Sequence, residues 1–469
     1  MTLIHNDKLL NLLERLNISG SQVCEDELTS IITYVIEACR VPPLQNVDLP
    51  YTELDFEGVA NNAEIQLNVV IQIIQKIYSV KKQGYHFSHL FIRNAVVNCF
   101  LVACEFSDEN WEWVNKKAAS ASKNVMNKLC EVCQCKSVRE LLNGEFTDTS
   151  ERSYQNSGTS LENEKEISYI KFILQAFSGI FNKNNWKTYP SLKMSYWKIL
   201  QYLNQKTLGE QLAYLLPPAL FIVDDWEQRN KVLGLNCLLY IIRNTTGSEL
   251  RWYGRGAVIY DALKPILYSR EAKVLEILYP AITEVAYILE SDPSNAGKLK
   301  SESAHDIILH QLLREMRHEQ KLALRSVYAV SLPSILSSMG IFAIRWSQTL
   351  MDVCSDYLAT CEGLAASDRI SILRALQVYV QKCWPQVHTD ASSMVQMVVR
   401  LLYDVTAEDS DYRPQIVCDI TKEAELLINL LNSAAPKTMQ ELCRGLQDIS
   451  VHAQCQLILK RIFNISSNK

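Results

Sequence analysis

Between Leu215 and Asn244 the order of apolar and polar positions, LLPPALFIVDDWEQRNKVLGLNCLLYIIRN, predicts two short helices joined by a turn. Val232, Leu235, Leu238, Leu239 and Ile242 recur at helical spacing, so the second helix carries one continuous apolar stripe. Pro217 and Pro218 predict a stop or kink in the first helix, because proline supplies no N–H and clashes one turn back. Asp224 and Asp225 are placed to open the second helix, with Glu227 or Gln228 three residues on to complete a capping box. The run from Asn244 to Gly247 is a stop signal. Such a pair cannot bury its stripe alone and needs a stacked neighbour on each side.

The same rhythm extends along the chain. A helical pattern from Asn6 to about Arg40 opens on an amphipathic segment interrupted by Asp7, Glu14 and Arg15, which is not the pattern of a signal peptide. A proline-containing acidic connector follows, from Val41 to Gly58. Helices are predicted from Ala60, around Leu90 to Leu101, from Asn110 to Cys135 and from Ser137 to Leu142. Residues 145–166 lack apolar periodicity and are rich in Ser, Thr, Glu and Asn, the composition of a linker. Beyond it, the marker stretches Val232–Ile242, Val274–Leu289, Leu322–Leu336 and Ile370–Val380 follow one another at a spacing of roughly 40 to 50 residues, the upper range of a HEAT repeat. Pro265, Pro280 and Pro333 fall inside such patterns and predict kinks. Two further pairs, Ser392–Val405 with Thr421–Leu431 and Met439–Leu446 with Ile449–Ile462, end in a polar tail suited to capping a stack. The expectation is an all-α, HEAT-like α-solenoid of stacked antiparallel helix pairs: an N-terminal helical block over 1–144, a polar linker over 145–166 and the solenoid over 167–469.

Composition narrows the function classes. The 15 glycines among 469 residues are roughly 3% against an average of ~7%, too few for the many tight turns of β-sandwiches or Rossmann loops. A net charge of −5 gives no basic footprint for a phosphate backbone, so nucleic acid is not an expected ligand. The apolar run from Ala95 to Cys104 falls far short of the ~20 residues a membrane span needs, so a soluble chain without a membrane partner is expected. Fourteen cysteines without a secretory signal read as reduced thiols on helix faces.

Candidate chemistry is sparse. Cys130, Cys133 and Cys135 could offer three thiolates to zinc, but no fourth ligand stands at finger spacing, and buried thiols are the better reading. His305, His310 and His318 form no HExxH motif and read as solvated or helix-capping residues. Gly254 and Gly256 lack the third glycine and the preceding strand of a dinucleotide fingerprint. Nothing places a nucleophile beside a base, so neither an enzyme nor a cofactor is expected. Asp225 and Lys231 stand one turn apart at the repeat corner, where a cap with a solvated ion pair is favoured over a partner contact. Asp224, Asp225, Arg229 and Asn230, taken as the exposed polar residues of this pair, are candidates for a partner surface. So are Trp384 and Pro385, because an exposed tryptophan at a helix end makes an interface anchor.

Long irregular strings carry a family resemblance. The Leu215–Asn244 pair, followed by SELRWYGRGAVIYDAL and LYSREAKVLEILYPAI, resembles the Tel-two-interacting protein two (Tti-two) family. REMRHEQKLALRSVYAVSLPSILSSMGIFAIRW and DRISILRALQVYVQKCWPQV are similar to its charged turn with a VYA…LP helix and to its ILRAL…WP segment. The similarity covers roughly residues 205 to 405. It implies a non-enzymatic HEAT-like scaffold of the TTT co-chaperone complex, binding Tti-one and, through it, Tel-two. It further implies support of Hsp-ninety in maturing phosphatidylinositol-3-kinase-like kinases of the mTOR, ATM and ATR types, in cytoplasm and nucleus, for growth signalling, the DNA-damage response and telomere maintenance. The competing expectation is a transport or cargo adaptor of the importin class, although no asparagine–tryptophan ladder repeats along the helices.

Overall fold

The computed structural model describes residues 25–47, 49–82, 85–144, 168–291, 303–359, 366–407, 413–446, 449 and 451–463. The predicted linker at 145–166, the first part of the N-terminal helical pattern and the polar tail lie outside these residues. Among the described residues every regular element is helical. The chain divides into two compact units, residues 1–221 and 222–469.

The first unit contains α1 (Glu25–Cys39), α2 (Val59–Lys82), α3 (His89–Glu105), α4 (Lys116–Val132), α5 (Val138–Asn143), α6 (Ile170–Ile180), α7 (Pro190–Tyr202) and α8 (Gln205–Glu210), and α9 (Leu212–Val223) spans the division. Helix α3 is its centre. Every residue from Cys99 to Glu105 is buried, and a helix apolar all round must be covered on all sides. Helices α1, α4, α6 and α7 do so, while α2 packs on α1 and α4. The connector from Val41 to Gly58 holds one 3₁₀ turn, Glu53–Phe56, whose Phe56 ring lies edge-on to buried Trp113 at 5.3 Å. On the far side of the expected linker, Ser168 donates its hydroxyl to the Leu142 carbonyl at 2.5 Å and Arg93 lies over the Phe172 ring at 4.5 Å. Thus α6 and α7 pack on α3 of the N-terminal block, within the compact unit that runs to residue 221.

The second unit contains α10 (Gln228–Arg243), α11 (Gly247–Arg251), α12 (Arg255–Leu263), α13 (Ala272–Glu290), α14 (Ala304–His318), α15 (Leu322–Met339), α16 (Ser347–Ala359), α17 (Ala366–Lys382), α18 (Val387–Val405), α19 (Pro414–Ala434), α20 (Pro436–Gly445) and α21 (Ala453–Ile462). Two layers emerge from their packing. Helices α10, α13, α15, α17 and α19 pack side by side in one, and α14, α16 and α18 in the other, with α12 docked on α13. Starts at Gln228, Ala272, Leu322, Ala366 and Pro414 keep the predicted rhythm. Polar clamps cross between neighbours of the first layer: Arg243 to Glu284 at 2.6 Å, Ser326 to Asp368 at 2.7 Å and Arg374 to Glu423 at 2.8 Å.

Several local expectations are corrected. No stop falls at Pro217 and Pro218, which lie inside α9, and Pro280 and Pro333 lie inside α13 and α15 as their patterns predict, while Pro265 opens a 3₁₀ turn after α12 instead of lying in a helix. For Pro217, Pro218 and Pro280 the freed carbonyls belong to exposed Ala213, Tyr214 and Glu276, where water can replace the lost bond. Helix α10 starts at Gln228 without a side-chain cap, because the Asp225 carboxylate is turned onto the Asn230 side-chain amide at 2.6 Å. Its buried stripe keeps Leu235, Leu238 and Ile242, adds Cys237 and Ile241, and leaves Val232 and Leu239 at the margin. Finally, Leu322–Ala359 is long and apolar enough to cross a membrane by length and composition. The chain breaks there at Gly340, and α15 and α16 pack in different layers.

Candidate partner-binding edge

Because the chain of the second unit passes back and forth between two layers through short connections, the C-terminal ends of first-layer helices share one edge. Arg251, beyond the end of α10, donates to the Ile288 carbonyl near the end of α13 at 3.0 Å. The Cys383 thiol, beyond the end of α17, lies 3.6 Å from the Gly340 carbonyl at the end of α15. Along this edge the turns expose Trp252, Tyr253, Ile341, Phe342 and Trp384, from 49% for Ile341 to 79% for Tyr253.

Each exposure has a local cause. After α10, Thr246 and Glu249 form a capping box that starts α11. Tyr253 and Gly254 then both adopt positive φ, +56° and +67°, and the reversal turns the Trp252 and Tyr253 rings outward, stacked on each other at 5.6 Å. Helix α15 ends at Gly340 with φ +62° and ψ −137°, a conformation open essentially to glycine alone, which swings Ile341 and Phe342 to the surface. After α17, the Cys383 N–H still bonds the Tyr379 carbonyl at 2.7 Å, and Pro385 prevents the helix from continuing past Trp384.

The groups beneath these rings are fixed. Asp306, 3% exposed, accepts from Arg345 and from the Trp346 indole N–H, both at 2.9 Å, and from Ser303 in a capping box. Burial pushes its carboxyl up, but those donors outweigh burial and hold it below the usual range. The Arg345 guanidinium reaches over the Phe342 ring at 5.3 Å, so the exposed ring stands on a charge-anchored base. His305 is 2% exposed and paired with Glu290, and His310 stacks on Trp346 at 5.1 Å. His305 is packed inside this base, which corrects the expectation of a solvated histidine there, whereas His310 stays exposed as expected while its ring lies on Trp346. A rigid edge carrying separate large rings and no reactive group suits capture of a protein surface, where Trp and Tyr are favoured anchors.

Of the residues singled out in the sequence, Trp384 and Pro385 lie on this edge and are exposed. Asp224, Asp225, Arg229 and Asn230 lie at the opposite end of α10, so the two groups are not brought together. Asp224 and Arg229 are exposed, while Asp225 and Asn230 are 6% and 4% exposed, a correction to their expected exposure. Trp252, Tyr253, Ile341 and Phe342 were missed by sequence reasoning. The signal was present in the WYGRG string, whose first glycine, Gly254, marks a left-handed turn and not a nucleotide loop. Cys130, Cys133 and Cys135 close α4 around Gln134 at φ +57°. Burial pushes their thiols up to about 11, 11 and 12, so they are protonated at neutral pH. Among the described residues no group of three or more His, Cys, Asp or Glu is arranged to hold a metal ion.

The charged turn RHEQK between α14 and α15 is an internal clamp. Arg270 reaches Glu315 at 2.6 Å and Glu319 at 3.0 Å, and the Glu319 carboxylate accepts the Lys321 and Gln320 N–H groups at 2.9 Å. Those backbone donors, with Arg270, hold the Glu319 carboxyl below its usual range against the pull of burial.

Comparison with known proteins matches residues 100–365 to the Tti2 family. The match takes in the Leu215–Asn244 pair and the strings up to Trp346, and it stops before Asp368–Val387. TELO2-interacting protein 2 of Homo sapiens is 28% identical over 306 residues, 65% of this chain and 57% of that protein. Its counterpart in Rattus norvegicus is 28% identical over 297 residues, 63% of this chain and 55% of that protein. The chain thus aligns with little more than half the length of these relatives. Among solved structures, a chain of the Kap95p–RanGDP structure is 13% identical with a TM-score of 0.51, covering 97% of this chain and 52% of that one. That likeness shows the helical-solenoid fold alone.

Proposed function

The chain belongs to the Tti2 family, and from that membership we propose that it is a non-enzymatic scaffold subunit of the TTT co-chaperone complex. In this reading it binds Tti-one directly and Tel-two through it. The complex then supports Hsp-ninety in maturing and stabilising phosphatidylinositol-3-kinase-like kinases, in cytoplasm and nucleus. The family match is the observation that carries the proposal, and the relatives' names, which refer to interaction with TELO2, point the same way.

The physical reading is compatible. Trp252, Tyr253, Ile341, Phe342 and Trp384 offer anchors on a braced edge. We assign this edge to Tti-one. A solenoid fits a transport adaptor equally well, and the family match favours the scaffold reading. Affinity capture of the tagged chain from cells of its source organism tests the proposal: Tti-one and Tel-two should be recovered in stoichiometric amounts. Recovery of transport cargo with neither protein would overturn it.

A further inference from the structure

In the first unit, helices α1, α3 and α6 all end at one half-open cleft of about 500 Å³, with Glu105 at its floor. That volume falls in the usual range of ligand sites. Glu105 is 1% exposed, and its two oxygens differ. Oε2 accepts the Ser191 hydroxyl at 3.0 Å and the Val41 N–H at 3.3 Å, whereas Oε1 is buried without a hydrogen-bond donor. Leaving a buried acceptor unpaired is unfavourable, more so when it is charged, so this oxygen calls for a donor that the chain does not supply. Burial pushes the Glu105 carboxyl up, and the neighbouring Arg40 guanidinium pulls it only part of the way back.

The surrounding charge selects the donor. A helix C-terminus carries roughly half a negative charge, and three of them meet here. Glu37, exposed on the last turn of α1, adds a second carboxylate at the rim. Against these two carboxylates and three helix C-termini stand one guanidinium, Arg40, and one helix N-terminus, that of α7. Ile36 and Ile180 supply apolar wall for an aliphatic stem, and the Tyr189 ring lines the same cleft, where it can face a cation.

We propose that this cleft is a receptor for the basic side chain of a partner protein, its ammonium or guanidinium donating to Oε1 of Glu105 while the stem lies along Ile36 and Ile180. The site lies in a different unit from the aromatic edge and does not depend on which protein that edge engages.

Ligand-observed NMR on the full chain, with small probes, tests this without any partner. The probes are Nα-acetyl-lysine amide, its neutral isostere Nα-acetyl-norleucine amide, and butylamine. The lysine probe should bind saturably, and the norleucine probe at least tenfold more weakly. Glu105→Gln keeps an acceptor for Ser191 and Val41 but removes the charge, and should weaken the lysine probe at least tenfold with a near-native melting temperature. Glu37→Gln, on an exposed side chain that folding tolerates, should weaken it a few-fold and stands as the test if Glu105→Gln fails to fold. Butylamine binding as tightly as the lysine probe would support the same chemistry and assign the site to small free amines. Equal binding to wild type and a folded Glu105→Gln, or equal binding of the norleucine probe, would overturn the proposal. Absence of saturable binding by every probe would overturn it too, leaving a water-filled cleft only.

Discussion

The Cys383 thiol lies 3.6 Å from the carbonyl oxygen of Gly340, joining the turn after α17 to the turn after α15. The residue after each of these two is an exposed apolar one, Trp384 and Ile341, and Phe342 follows directly. The contact therefore sets two separate turns in register and presents their side chains on one edge.

If that edge binds Tti-one, Trp384→Ala and Phe342→Ala should act on binding more than on folding. Both side chains are more than half exposed, so each change should shift stability by no more than about 0.5 kcal/mol. Loss of an anchor should cost about 2 kcal/mol of affinity, roughly thirty-fold in Kd. Thermal denaturation beside a titration with purified Tti-one separates the two effects. Equal loss of fold and binding would return these rings to simple packing.

Leu238 is fully buried in the stripe of α10. Its replacement by Ala should cost ~2–5 kcal/mol, read as a lower denaturant midpoint. Because repeats couple to their neighbours, hydrogen exchange in α13 should rise as well. An unchanged midpoint would contradict the assigned packing.

Gly234 tests how closely helices approach. A Cβ there would stand 2.4 Å from the Val223 backbone nitrogen and 2.6 Å from its Cα. Glycine to alanine in a helix ordinarily stabilises by up to about 1 kcal/mol. Here the clash with rigid backbone should reverse the sign, with a net loss on the order of 1–3 kcal/mol by calorimetry. A raised melting temperature would show that the helix ends lie further apart.

The clamp around Glu319 gives a pH signature. Its folded-state carboxyl lies below the ordinary glutamate value, held there by the Lys321 and Gln320 N–H groups and Arg270. A depressed carboxyl contributes stability above its unfolded value, about 4.3, and that contribution is lost as pH falls through the folded value. Wild type should therefore exceed Glu319→Gln in melting temperature at neutral pH, and the gap should close on acidification below about pH 4. A gap constant with pH would assign the effect to shape and not to charge.

What the sequence made legible follows from periodicity. Leu235, Leu238 and Ile242, and the starts of α13, α15 and α17, could be placed because a helix that stacks must repeat its apolar face. Pro217 and Pro218 left open whether the helix stops, since the cost of a proline depends on whether the freed carbonyl meets water, and Ala213 and Tyr214 are exposed. Asp225 misled because it shares a buried amide with Asn230 instead of capping α10. The aromatic edge depends on positive φ at Tyr253 and Gly340, which spacing does not encode. Nothing in the spacing singled out Glu105, which is buried in space because α7 and the Val41 connector close over it.

The direct test of the central reading is binary reconstitution. Purified chain and purified Tti-one from the same organism, mixed at equal concentration, are passed through size-exclusion chromatography with light scattering. The scaffold account predicts a single species with the summed mass of both chains, and its loss when Trp384 and Phe342 are both replaced by Ala. Two separate peaks at the masses of the individual proteins, with both chains folded, would contradict it.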